Sequence, residues 1–452
     1  MHAFLVSCLA AWAALAGLAA AGPPVGGAKA TADVNPLGGV CLAQWYPRGS
    51  SSSSSSSSNK ASNMLSYHTR GDGSIFESRM HANGGWIKAV PVVLADAGNR
   101  TAGNASVARA WTGGGPLACA AEAVGDGPDD FQVRLFYQRA AEDAGGPVQL
   151  HSIVWKKDAG WRNDEAFNKL FGRPASAGAA IKWADPKTGD VDWRLYYVLY
   201  DRAPYGTTRV RARIHEAVLR TRGADGEPLS WRPGSDGKPV ASLLLRAGQA
   251  ASVAAAALRG GRQISLVAWT LRPEEEEPGS YRHGRIVRRP GAIQETRWTL
   301  ETRAWESRTQ QLVDWGFPDV GVLAAAAYRE RGANGGRELL LTLAKHAEPT
   351  NAFVGNSAVL QLVSGPGLWT KLMPPAPGWL AAETAASSQM AAASWLDGVD
   401  GQDVRITLHY VACDVPDYVY EGKPCNYVIK EAQRNSESAN AFAWTDSFVV
   451  ST

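Results

Sequence analysis

Six times along the chain, a short strand of small apolar residues precedes one richer in aromatic and branched side chains. The first members are Val40–Trp45, Leu117–Ala123, Ala177–Trp183, Ser252–Leu258, Val322–Tyr328 and Met390–Trp395, recurring roughly every 60–80 residues. Their successors are Met64–His68, Val133–Gln138, Trp193–Val198, Ile264–Trp269, Leu339–Leu343 and Val404–Tyr410. Such content suits a pleated, half-buried surface. After a polar turn a third strand is predicted at Ser74–Arg79, Val148–Trp155, Arg213–Leu219, Ala292–Trp298, Ala358–Val363 and Tyr427–Gln433. A Trp marks the fourth strand region each time: Trp86, Trp161, Trp231, Trp305, Trp369 and Trp444.

Alone, Val253–Leu258 reads equally well as helix, because Ala is the best helix former. Six copies with the same kind of successor argue for strands. Four strands repeated radially predict an all-β fold, a six-bladed β-propeller with four-stranded antiparallel blades. Inner strands converge on an axis where only small side chains fit, and outer strands leave room for aromatics. Tandem sandwiches, the other all-β architecture, carry no such four-strand phase. The expected blades span 39–110, 111–175, 176–250, 251–320, 321–388 and 389–452.

The ends and loops add context. Residues 1–21 read as a secretion signal, apolar from Phe4 to Ala20 with small residues before Gly22. A membrane anchor is the alternative reading of this stretch. Residues 22–38 are expected to be a linker. Sequons at Asn99 and Asn104 fit a secreted, extracellular glycoprotein. Cys8 leaves with the signal, so four of five cysteines remain. Oxidising surroundings favour disulfides, with Cys413–Cys425 the preferred pair and the pairing of Cys41 and Cys119 open. Ser50–Ser58 and the charged loop holding Glu274–Glu277, Arg282, Arg285, Arg288 and Arg289 fall between strands.

A net charge of +3 over 452 residues argues against nucleic acid as a main partner. No second stretch reaches 18 uncharged apolar residues, so no membrane span is expected in the mature chain. No metal ligand set, cofactor motif or hydrolase motif appears, and the repeated sialidase turn Ser-x-Asp-x-Gly-x-Thr-Trp is absent. An enzyme is therefore not expected.

The segments QVRLFYQ…KKDAGWRND, DWRLYYV…IHEAVL and GSIFES…GGW resemble blades of the fungal fucose-specific lectins. The resemblance implies sites between blades for fucosylated or related glycans. In such sites a second-strand Arg and a third-strand Glu bind sugar hydroxyls, and a Trp of the following blade closes the pocket. Arg supplies a rigid fork of donors and Glu accepts from hydroxyls.

Carried over, two sites are complete: Arg194, Glu216 and Trp305, and Arg405, Glu431 and Trp86. The others are degenerate. Glu77 with Trp161 meets Leu65, Arg134 with Trp231 meets Leu150, and Glu295 with Trp369 meets Ser265. The fifth repeat has Leu339 and Leu362. Two other readings stay open: the Arg–Glu pairs are ion pairs internal to the sheets, or the protein is a secreted interaction propeller whose sugar sites have decayed. Oligomeric state is not legible.

Overall fold

A computed structural model of the chain describes residues 34–45, 63–80, 85–95, 106–127, 129–140, 148–201, 209–220, 230–246, 251–258, 260–271, 291–309, 321–330, 337–346, 359–364, 369–371, 389–397, 403–413, 426–435 and 448–450. These form antiparallel sheets in a β-propeller arrangement, six of them among the described residues. Within each sheet, the four strands of the repeat are hydrogen-bonded in sequence order, the local connectivity that short turns allow.

The inner strands are Val40–Trp45, Ala118–Ala123, Ser176–Ala184, Val253–Leu258, Gly321–Glu330 and Met390–Asp397. Each packs on the next, and the last returns to the first. Val253–Leu258 is a strand paired with Gln263–Leu271. Its alanines are small enough for backbones to converge at the axis. There, inner strands of the first four sheets surround a cavity of about 320 Å³ lined by Leu42, Ala121, Lys182 and Ala257 among others.

Second strands run Asn63–Thr69, Phe131–Arg139, Val191–Tyr200, Gln263–Leu271, Arg337–His346 and Asp403–Cys413. Third strands run Ile75–Arg79, Gln149–Lys156, Arg209–Arg220, Gly291–Thr299, Val359–Ser364 and Tyr427–Asn435. Fourth strands are short, from Val90–Pro91 in the first sheet to Phe448–Val449 in the sixth. Trp161, Trp231, Trp305 and Trp369 lie in fourth strands, whereas Trp86 bridges to Met80 just ahead of one.

Three features depart from the sequence pattern. Val93–Leu94 and Ser106–Val107 join the second sheet, because Leu94 pairs in parallel with Trp161. That crosses the expected blade boundary at 110. Ala241–Arg246 pairs with the first half of Arg209–Arg220 as an additional strand. A helix, Glu165–Phe171, follows the fourth strand of the second sheet. Asp164 caps it by accepting from the Phe167 amide, and Phe167 and Phe171 bury its apolar face one turn apart.

The expected linker is described from Val34 onward, where the chain is tied into the seam between first and sixth sheets. The Val34 amide donates to the Tyr427 carbonyl at 3.2 Å, and the Val34 side chain packs with Val411 and Ile429. Cys41 and Cys119 are disulfide-bonded, with Cα atoms 5.9 Å apart, joining the inner strands of the first two sheets. Residues 1–21, Asn99, Asn104, Cys425, Trp444, the serine run and the charged loop lie outside the described residues. No helix among the described residues is long and apolar enough to cross a membrane.

Candidate functional site

The third sheet sets the reference geometry. Glu216 lies opposite Tyr196, and Arg194 is two residues earlier on the same face, diagonal to it. Arg194 Nη1 donates to Glu216 Oε1 at 3.0 Å and Nη2 to Asp192 Oδ2 at 3.2 Å. The guanidinium carbon sits 4.6 Å from the Trp183 ring centre and 4.8 Å from that of Trp298, two aromatics that sequence reasoning had left out. Tyr196 Oη donates to Glu216 Oε1 at 3.3 Å, and Ser235 Oγ donates to Oε2 at 3.3 Å. At Gly234 a Cβ would stand 2.3 Å from Glu216 Oε2, so the loop backbone closes directly on the carboxylate. Both carboxylate oxygens are thus engaged by the protein. Arg194 and Glu216 are both buried, at 8% and 3% exposure.

Trp305, from the fourth sheet, stands edge-on to Tyr196 with centroids 5.6 Å apart. The same pairing recurs round the molecule. Trp161 meets Tyr67 at 5.7 Å, Trp231 meets Phe136 at 5.8 Å and Trp86 meets His409 at 4.7 Å. Each Trp comes from the following sheet, the sixth receiving Trp86 from the first.

The sixth sheet brings together a different set from the one expected. Glu431 lies opposite His409, so the position diagonal to it belongs to Thr407. Arg405 is one pleat farther along, opposite Asn435. Glu431 Oε2 accepts from Trp86 Nε1 at 2.9 Å, and Oε1 lies 3.7 Å from His409 Nε2. The other ring nitrogen, Nδ1, is hydrogen-bonded to Ser66 Oγ at 2.8 Å. Burial opposes ionisation of Glu431, but the interactions with His409 and Trp86 outweigh it and hold its pKa below the ordinary value.

The second sheet, expected to be degenerate, builds a full constellation by another route. The residue opposite Phe136 is Ser152, with Leu150 one pleat away opposite Gln138. The carboxylate comes from Asp164, whose amide donates to the Ser152 carbonyl at 3.0 Å. Arg134 forms a buried ion pair with Asp164. Trp231 Nε1 donates to Asp164 Oδ2 at 2.9 Å. The Arg134 guanidinium carbon lies 5.4 Å from the Trp193 ring centre and 5.5 Å from that of Trp231. Burial pulls the Arg134 pKa below its ordinary value, against the opposing pull of Asp164. Arg134, Asp164 and Trp231 line a cavity of about 420 Å³ between the second and third sheets, with Val154, Arg162 and Leu219 among its other walls. Pockets of this size hold small ligands. The sequence signal for the acid was the Asp ahead of an i, i+4 aromatic pair, an N-cap pattern.

In the first sheet Leu65 stands diagonal to Glu77, which lies opposite Tyr67. Burial raises the Glu77 pKa. In the fourth sheet Ser265 holds that diagonal place and donates to Glu295 Oε1 at 2.7 Å. Arg297, two residues along the same strand, clasps both Glu295 oxygens at 2.7 and 2.9 Å. Trp369 opens the fourth strand of the fifth sheet. In that sheet Leu362 lies opposite Thr342, three residues along the second strand from Leu339. Among the described residues no cluster of His, Cys, Asp and Glu could hold a metal ion.

No protein-family model matches the sequence, and no curated protein matches it. Solved structures are similar in fold. The fucose-specific lectin from Aleuria aurantia, in a mercury-derivative form, superposes with a TM-score of 0.52 at 14% identity, covering 93% of this chain and 98% of the lectin. A mutant of that lectin in complex with Fucalpha1-6GlcNAc gives the same values, a TM-score of 0.52 at 14% identity over 93% and 98% of the two chains. The NanB sialidase from Streptococcus pneumoniae covers 88% of this chain and 77% of its own, at a TM-score of 0.39 and 8% identity. At 14% identity the lectin likeness shows the β-propeller fold.

Proposed function

We propose that the six sheets are the blades of one six-bladed ring, and that the protein is a secreted carbohydrate-binding protein akin to the fungal fucose-specific lectins. Its glycan site is the cleft between the second and third sheets. The observation that carries this reading is the Arg134–Asp164–Trp231 set on the wall of a sugar-sized cavity. It offers forked donors, an acceptor for hydroxyls and an aromatic face. The cyclic contacts of the inner strands support the blade count. The Cys41–Cys119 bridge supports an oxidising compartment. Glu216 is closed over by the Gly234 backbone, which supports its being degenerate for sugar.

A glycan array on the purified mature chain, followed by fucose calorimetry, tests the reading. Binding to fucosylated or related glycans, lost in Arg134→Ala and kept in Glu216→Ala, is the expected result. Silence across the array overturns it. Release of free sugar from a bound glycan makes the protein a propeller glycosidase instead.

A further inference from the structure

The cleft between the second and third sheets carries more positive charge than its own carboxylates neutralise. Arg134, Val154 and Arg162 lie opposite one another in a single row across three strands of the second sheet. Lys156, two residues beyond Val154, shares that face. All three basic residues line the cavity, together with the carboxylates of Asp164 and Glu165.

Asp164 is already committed to Arg134. Lys156 and Arg162 are exposed, and neither has a carboxylate partner among the described residues. Arg162 spends only its Nε, on the Ala159 carbonyl at 3.2 Å. The contrast with Lys157 is local: pointing to the other face, it is paired with Asp130 at 2.6 Å. A lone surface cation needs no explanation. Two of them converging on a concave, partly apolar wall create a field that the cleft focuses.

Resting on the glycan reading above, we infer that this cleft selects glycans bearing an anionic substituent, a uronic carboxylate or a sulfate ester. Lys156 and the free fork of Arg162 receive the anion, for which a guanidinium offers paired donors. Arg134, Asp164 and Trp231 engage the ring itself.

Titration with two matched pairs separates charge from shape. One pair is trigalacturonate and its full methyl ester, and the other is a fucose oligosaccharide with and without a sulfate ester. The charged member of a pair is expected to bind at least about tenfold tighter at low salt, with the advantage shrinking as salt rises. A Lys156→Gln/Arg162→Gln variant is expected to abolish that advantage. Equal affinities within both pairs, or an advantage that survives in the variant, overturn the anionic selectivity and leave the glycan reading standing. Failure of all four sugars to bind the unaltered protein overturns the glycan reading and this inference with it.

Discussion

Arg134 and Asp164 form a buried ion pair although one sits on a second strand and the other beyond a fourth strand, at the cap of a helix. Removing one partner of such a pair leaves an uncompensated charge, which costs roughly 3–5 kcal/mol. Asp164→Ala is therefore expected to lower stability by about that amount, with about 1 kcal/mol more from the lost cap. The double variant Arg134→Met/Asp164→Leu should recover part of the loss, since no charge is then stranded. Urea unfolding of the three proteins checks the order.

Arg194 is held by both geometry and chemistry, between two indole rings and two carboxylates. Lysine has no planar fork and cannot reproduce this arrangement. Arg194→Lys should cost about 2–4 kcal/mol of stability, within the range for breaking buried charge networks. Glycan binding in the cleft of the second and third sheets should survive, because Arg194 serves the next interface round. Stability and binding measured on the same preparation separate the two effects.

His68 is fully buried in the seam of the first and sixth sheets. Burial, reinforced by the charge of Arg70 and by His409, lowers its pKa from 6.5 to about 3. Between those values the unfolded chain takes up a proton that the native state refuses. Its contribution to stability is whole above about pH 6.5 and is lost as pH falls toward 3, at roughly 1.4 kcal/mol per pH unit. His68→Phe should show a shallower loss of stability than the parent over that window. Thermal melts at a series of pH values compare the slopes.

The Cys41–Cys119 bridge spans a sequence separation of 78 and links neighbouring inner strands. A loop of that length is worth about 4 kcal/mol in the chain-entropy view. Replacing both cysteines by serine should lower stability by that order, and mild reduction should do the same to the parent. Chemical unfolding with and without reductant reads both.

Much of the fold was legible because its signals are local. Strand periodicity and the Ala-rich inner strands are set by neighbours a few residues apart, and the sheets keep those strands within a few residues of the expected bounds. The positions of the fourth-strand Trp residues were also readable, and Trp86, Trp161, Trp231 and Trp305 each meet the preceding sheet as the family resemblance implied. The site was less legible. Matching Arg405 to Glu431 by motif overlooked a slip of one pleat, and Thr407 takes the diagonal place. Along a strand such a slip keeps the same face, so the hydrophobic pattern does not reveal it. The helix after Asp164 and the strand Ala241–Arg246 were missed because both lie outside the four-strand phase.

The sequence by itself determined that this is an all-β chain of repeated strands, small inside and aromatic outside. It also determined which residue types each repeat could offer. Only the tertiary structure decided which of them meet. Contacts between sheets join residues far apart in sequence, and a carboxylate can reach the same point from a third strand, as Glu216 does, or from a helix cap, as Asp164 does. The surroundings then separate the outcomes: both carboxylates are buried, but Glu216 is closed over by the Gly234 backbone, whereas Asp164 lines a cavity.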